Sequence, residues 1–133
     1  MIALGTAIYS HLTGGTALVA LLANGTASVH NSLGKGSPPY VVYRFSADTN
    51  EIVYPGETRT FVVDIQAIAT DGYVATQIGD AIDNRMKTDI GAVSGFGLFR
   101  QERDSGIEYQ EVTDGATYWH DGGRFRITLN DRV

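Results

Sequence analysis

Along the first stretch of the chain, Leu4, Ile8 and Leu12 fall every fourth residue with Ala7 and His11 beside them, the spacing that gathers side chains on one helical face. Gly14-Gly15 interrupts the stripe. Thr16 is suited to cap a second helical piece, Ala17 to Ala23, whose Leu18, Leu21 and Leu22 share a face before Asn24-Gly25 ends it. The expectation is a broken N-terminal helix. The period then changes to two. Ser28 to Leu33 reads as a short strand, Gly34 to Pro39 as a loop in which Gly and Pro block regular structure, and Tyr40 to Phe45 as a β-branched and aromatic strand.

Ser46 to Glu57 has Asp48, Asn50, Glu51, Pro55 and Gly56, so it reads as a long polar connection in which Ile52, Val53 and Tyr54 stand together. Thr58 to Ala69 has the clearest strand signal, with Phe61, Val63, Ile65, Ala67 and Ala69 alternating against Thr60, Val62, Asp64, Gln66 and Ile68. Thr70 or Asp71 can cap a helix to Met86 or Lys87, where Val74, Ile78, Ala81, Ile82 and Met86 form one stripe. Phe61, Val63 and Ile65 should therefore meet Val74, Ile78 and Ile82, because strand and helix each offer an apolar stripe to bury. After a Gly-rich connection, Leu98 to Glu102 and Ile107 to Val112 read as hairpin strands around Asp104-Ser105-Gly106. Thr117 to Leu129 closes the chain as a strand that Asp121-Gly122-Gly123 bends or bulges. This pattern predicts one α+β domain over residues 1–133: a mostly antiparallel sheet of about four to five strands, flanked by the broken N-terminal helix and a central amphipathic helix.

Composition narrows the function. The 133 residues carry 10 Lys and Arg against 15 Asp and Glu, a net charge of −5, so the basic footprint of a phosphate-gripping nucleic-acid binder is missing. With no cysteine, disulfides, thiolate catalysis and Cys-type zinc sites are excluded. The N-terminus does not read as a signal peptide, and the longest apolar run, Ala17 to Ala23, is far below the roughly 20 residues of a membrane span. Asn24-Gly25-Thr26 fits a glycosylation sequon but reads better as a helix end stopped by Gly.

The candidate chemistry is thin. His11, His30 and His120 lie far apart, and none has a carboxylate at a helical metal-site spacing. His120-Asp121 resembles half of a base and its orienter, but no nucleophile motif accompanies it. Asp80 and Asp83 sit on the solvent side of the predicted helix, and Gly34-Lys35-Gly36-Ser37 is followed by Pro38-Pro39, which prevents the helix a phosphate loop requires. Tyr118 and Trp119 read as core or interface residues. The expectation is a protein with no catalytic residues, cofactor or metal.

The order of these features resembles the tail-completion, or tail terminator, family of long-tailed bacteriophages. The resemblance is carried by the Ala7-Ile8-Tyr9-Ser10-His11-Leu12 helix, the Ala17 to Leu22 piece, Pro38-Pro39-Tyr40-Val41-Val42-Tyr43, Phe61 to Ala67, the helix through Ala75 and Ile82, and the closing strand from Trp119-His120 to Phe125-Arg126-Ile127. It covers nearly the whole chain. It implies a structural protein of the virion tail or neck, made in the host cytoplasm, that forms a hexameric ring, caps the tail tube, stops its polymerisation and joins the head connector. The implied partners are further copies of the chain, the tail-tube protein and the head–tail connector protein, with DNA passing through unbound and no membrane involved. Within that reading Ile52, Val53, Tyr54 and Glu57 are the assembly-interface candidates. Glu102, Asp104, Glu108 and Glu111 supply the densest acidic face, partly offset by Arg100 and Arg103, and are the candidates to face a lumen that must not hold a duplex. A tail-tube or head–tail connector subunit, and a small ligand-binding domain or enzyme, are the alternatives.

Overall fold

The computed structural model describes the backbone of residues 2–53, 56–91 and 93–131, with all of their side chains except those of residues 47–53, 56, 57, 99 and 131. Its elements run α1 (Ile2–Thr13), α2 (Thr16–Val19), a 3₁₀ turn (Gly25–Ser28), β1 (Val29–Asn31), β2 (Tyr40–Val53), β3 (Gly56–Ala69), α3 (Gly72–Met86), β4 (Phe96–Thr113) and β5 (Ala116–Asp131). The five strands form one sheet in the order β1-β2-β3-β5-β4. Only β1 and β2 run parallel; the other neighbours are antiparallel. This is the α+β arrangement expected from the alternation of periods.

The alternating stripe of β3 decides what lies where. Phe61, Val63, Ile65, Ala67 and Ala69 are all buried, and the first four share a core with Val41 and Tyr43 of β2 and Phe125, Ile127 and Leu129 of β5. The helices close this face. Leu4, Ile8 and Leu12 of α1 and Ile78, Ile82 and Met86 of α3 belong to the same cluster, with Val74 and Ala81 packed at its margin. Asp71 caps α3 as anticipated, its carboxylate accepting from the Tyr73 N–H at 2.8 Å.

The C-terminal ends of α1 and α3 are tied by polar bonds. Nε2 of His11 lies 2.8 Å from the Arg85 carbonyl, and Nε of Arg85 donates back to the His11 carbonyl at 2.6 Å. Desolvation in this position lowers the His11 pKa, which keeps the ring neutral beside Arg85. From β4, the Gln101 amide donates to the Met86 and Thr88 carbonyls at 2.9 Å each and accepts from the Ile90 N–H at 3.0 Å. A helix end leaves carbonyls without intrahelical partners, and Gln101 satisfies that of Met86, together with the Thr88 carbonyl just beyond the helix, while fastening α3 to the sheet edge.

Four expectations change. The polar stretch 46–57 is not a loop: β2 and β3 continue as a paired hairpin out to Val53 and Gly56, with one register shift between Phe45 and Ala47. Backbone pairing satisfies this arm, which carries no apolar alternation to announce it. Likewise, Asp104-Ser105-Gly106 makes no turn. β4 runs unbroken past it, taking up extra residues in shifts at Leu98/Arg100 and Arg103/Ser105, and the reversal comes at Asp114-Gly115, both with positive φ. Finally, Gly122-Gly123 does not bulge β5, whose pairing with β3 is continuous; a Cβ at Gly122 would run into the Ile65 carbonyl, so close approach of strands is what requires glycine there. The second helical piece is also shorter than expected, ending at Val19.

Ile65 has no exposed surface and sits between α3 and the other strands. Ile65→Ala should cost about 2–5 kcal/mol through lost transfer energy and the cavity left behind, a large part of the stability of a domain this size. A thermal or urea denaturation series checks it, and an unchanged midpoint would show that the stripe does not carry the core.

Candidate functional site

Alternation that sends the apolar set of β3 towards the helices sends Val62, Asp64, Gln66 and Ile68 to the opposite face. No helix packs there among the described residues, yet Asp64 and Gln66 are buried, so each must find a partner within the sheet. Arg124 of β5 stands directly across from Asp64 and donates to both carboxylate oxygens, at 2.7 and 3.3 Å. Opposite Gln66 is Gly122, so the Gln66 amide reaches diagonally to Nδ1 of His120 at 3.0 Å. His120 is itself buried. Its Nε2 is 2.6 Å from the Glu111 carboxylate of β4, and the Tyr109 ring stacks on the imidazole at 4.2 Å between centroids. The result is a polar layer running β3–β5–β4 on an open sheet face.

A second feature lies where the start of α3 meets β4 and β5: a cavity of about 360 Å³ lined by Tyr73, Thr76, Glu108, Trp119 and Asp121 among others. Asp121 is packed under α3 so closely that a Cβ at Gly79 would overlap its carboxylate. Burial, then repulsion from Glu108, Asp80 and Asp83, pushes this carboxyl up to about 6, with a bond from the Thr76 hydroxyl acting the other way. Its repelling neighbours are these acids, of which Asp83 is itself paired with Arg103 of β4 at 3.1 Å.

The candidate acids of β4 are not one face. Glu102 and Glu111 project to the open side, beside Arg100 at 3.9 Å and His120 at 2.6 Å; Asp104 reaches Arg126 at 3.6 Å; Glu108, opposite Asp121, turns to the helix side. The strand period separates Glu108 from the others, and each acid on the open side has a nitrogen-bearing side chain next to it, Arg100, Arg126 or His120. The expectation of a single dense acidic face is corrected accordingly. Of the assembly candidates, Ile52, Val53 and Glu57 fall at the far end of the β2–β3 hairpin, paired as Ile52↔Glu57 and Val53↔Gly56, while their side chains, and Tyr54 altogether, lie outside the described residues. The polar layer joining Gln66, His120 and Glu111 was not anticipated from the sequence. The unusual placing of Gln66 and Asp64 within an otherwise apolar strand is the signal that points to it.

Among the described residues no three side chains of His, Asp or Glu gather as metal ligands, and no helix is long and apolar enough to cross a membrane. No protein-family model matches the chain, and no curated protein does. Solved structures do match. A chain from the virion of a native gene transfer agent particle superposes with a TM-score of 0.73 over 94% of this chain and 92% of that one, at 17% sequence identity. The two chains share a fold.

Because the folded-state carboxyl of Asp121 holds its proton up to about 6 while an unfolded one releases it near 3.8, the native state binds more protons between those values, and stability falls as pH rises through that window. Asp121→Asn should therefore raise the melting temperature at pH 7.5, and the gain should shrink towards zero by about pH 4. Equal melting temperatures for the two proteins across this range would mean the carboxyl carries no burial penalty.

Proposed function

We propose that this chain is a structural virion protein, a tail terminator that forms a hexameric ring, caps the tail tube, stops its growth and joins the tail to the head connector. The observation that carries this reading is the near full-length match in fold to a chain of a gene transfer agent virion. The tail-terminator assignment within that class rests on the order of sequence features, from the Pro38-Pro39-Tyr40 entry into β2 to the closing Trp119–Ile127 strand. The architecture suits the role: a helix-backed sheet that is rigid at its centre, with two long hairpins, β2–β3 and β4–β5, available to reach neighbours. The ring partners are copies of the chain, with the tail-tube protein on one side and the connector on the other. The protein acts by binding and geometry, with no catalytic residue, metal or cofactor, and it resides in the tail or neck of the particle after synthesis in the host cytoplasm. A net charge of −5 lets DNA pass without being gripped. Glu102, Asp104 and Glu111 on the open side of the sheet, and Glu108 on its helix side, enter this reading as the candidates to face the channel through which DNA passes.

Deleting the gene from a particle-producing strain tests the proposal. Tails of uncontrolled length that remain unjoined to filled heads are expected, with both defects corrected by adding purified protein to the lysate. Normal tails in the deletion strain would overturn the terminator role. Purified protein that polymerises alone into open tubes would instead identify a tube subunit.

A further inference from the structure

The N-terminal helical segment is broken at Gly14-Gly15, and the side chain lying across the break is Arg85 of α3. A Cβ at Gly15 would stand 2.9 Å from Arg85 Cδ, and one at Gly14 would stand 3.0 Å from its Nη2, so the two glycines leave the space this side chain occupies. The helix that follows, α2, has four residues and no side-chain cap. A helix this short does not hold itself, and it rests on α3 with Leu18 in the core. The seating of α2 therefore depends on how the ends of α1 and α3 are joined.

That joint consists of carbonyls and two basic side chains. A carbonyl can only accept, so Nε2 of His11, 2.8 Å from the Arg85 carbonyl, carries the proton. The Thr88 hydroxyl donates to the same carbonyl at 2.8 Å and stands 3.3 Å from Nε2, while Arg85 Nε donates to the His11 carbonyl at 2.6 Å. No carboxylate is bonded to Arg85 among the described residues. The charged groups facing the imidazole are Arg85 itself and Asp89, just beyond α3. α1 and α2 contain no Asp, Glu, Lys or Arg, and β4 reaches the joint with the uncharged Gln101. The bonds are complete with a neutral ring. A second proton, at Nδ1, would set a cation beside a guanidinium that has only a carbonyl partner, in a residue that is 8% exposed.

We infer that His11 and Arg85 form an acid-sensitive latch: with the ring neutral the ends of α1 and α3 are fastened and α2 is seated, and with the ring charged the segment from Tyr9 to Val19 loosens from α3. The direction follows from the balance of causes. Burial disfavours the charged ring, and it outweighs the bond to the Arg85 carbonyl, which favours it; the Arg85 charge adds to burial and Asp89 opposes it, leaving the His11 pKa below the usual 6.5. The folded state then binds fewer protons than the unfolded one as pH falls through 6.5, so the latch contributes fully above that value and is lost below it. Asp121 has the opposite sign, because its raised carboxyl pKa stabilises the fold in acid, so the latch shows itself locally and not in the overall melting temperature.

Two measurements on the full chain test it. In an NMR titration the His11 ring, assigned through its contact with Thr88, should titrate below 6.5, and a midpoint at or above 6.5 would overturn the latch. Peptide-resolved hydrogen exchange at about pH 7.5 and about pH 5, corrected for intrinsic amide rates, should show residues 9–19 losing protection in acid while β3 keeps its own. His11→Gln retains an N–H donor and cannot take up charge, so it should remove most of this acid response. A response as large in His11→Gln as in the parent, or none in the parent, would overturn the latch. Should His11→Gln not fold, the parent decides: loss of protection in residues 9–19 with the same midpoint as the ring titration supports the latch, and a different midpoint overturns it.

Discussion

The structure depends on one constraint: β3 is central in the sheet and is buried on both sides, so both of its faces must be satisfied at once. Its odd-numbered positions from Phe61 to Ala69 require apolar cover, which α1 and α3 supply. Its even-numbered positions hold Asp64 and Gln66, which require polar partners, and these come from Arg124 and His120 of β5. A shift of one residue between β3 and β5 would separate Asp64 from Arg124 and turn the apolar set outward together, so packing and polar satisfaction fix the same register. Gly122 belongs to this arrangement, because the Ile65 carbonyl occupies the space its side chain would take.

That constraint also determines what is left over. With the core gathered on one side of β3, the sheet ends laterally in strands of very different chemistry. β4 has charged and exposed residues over most of its length, while the α1–β1 edge is made from a segment without a single acid.

The parts of this fold that were legible in the sequence are those in which side-chain period and burial coincide. The β3 stripe, the α3 stripe with its Asp71 cap, and the Leu4–Ile8–Leu12 face needed no knowledge of the rest of the chain. The arm beyond Phe45 was not legible, because strands extended away from the core are held by backbone pairing and have no apolar face to mark them. The β4–β5 reversal was legible and was misplaced: Asp114-Gly115, with positive φ at both positions, is the stronger hairpin signal, while Asp104-Ser105-Gly106 resembles a turn and is absorbed as a register shift. The functional surface was least legible. The acids of β4 and the neighbouring Arg100 were visible as a run, but the contacts of Asp104 with Arg126 and of Glu111 with His120, and the turn of Glu108 to the helix side, come from strand register.

The central claim is that the double-sided core at β3 is complete within one chain. Hydrogen exchange, followed over a range of protein concentrations and resolved to individual peptides, tests it most directly. The account predicts that β3 peptides from Phe61 to Ala69 exchange slowest of all and equally slowly at every concentration. Exchange in these peptides that slows only at concentrations where copies associate would contradict it.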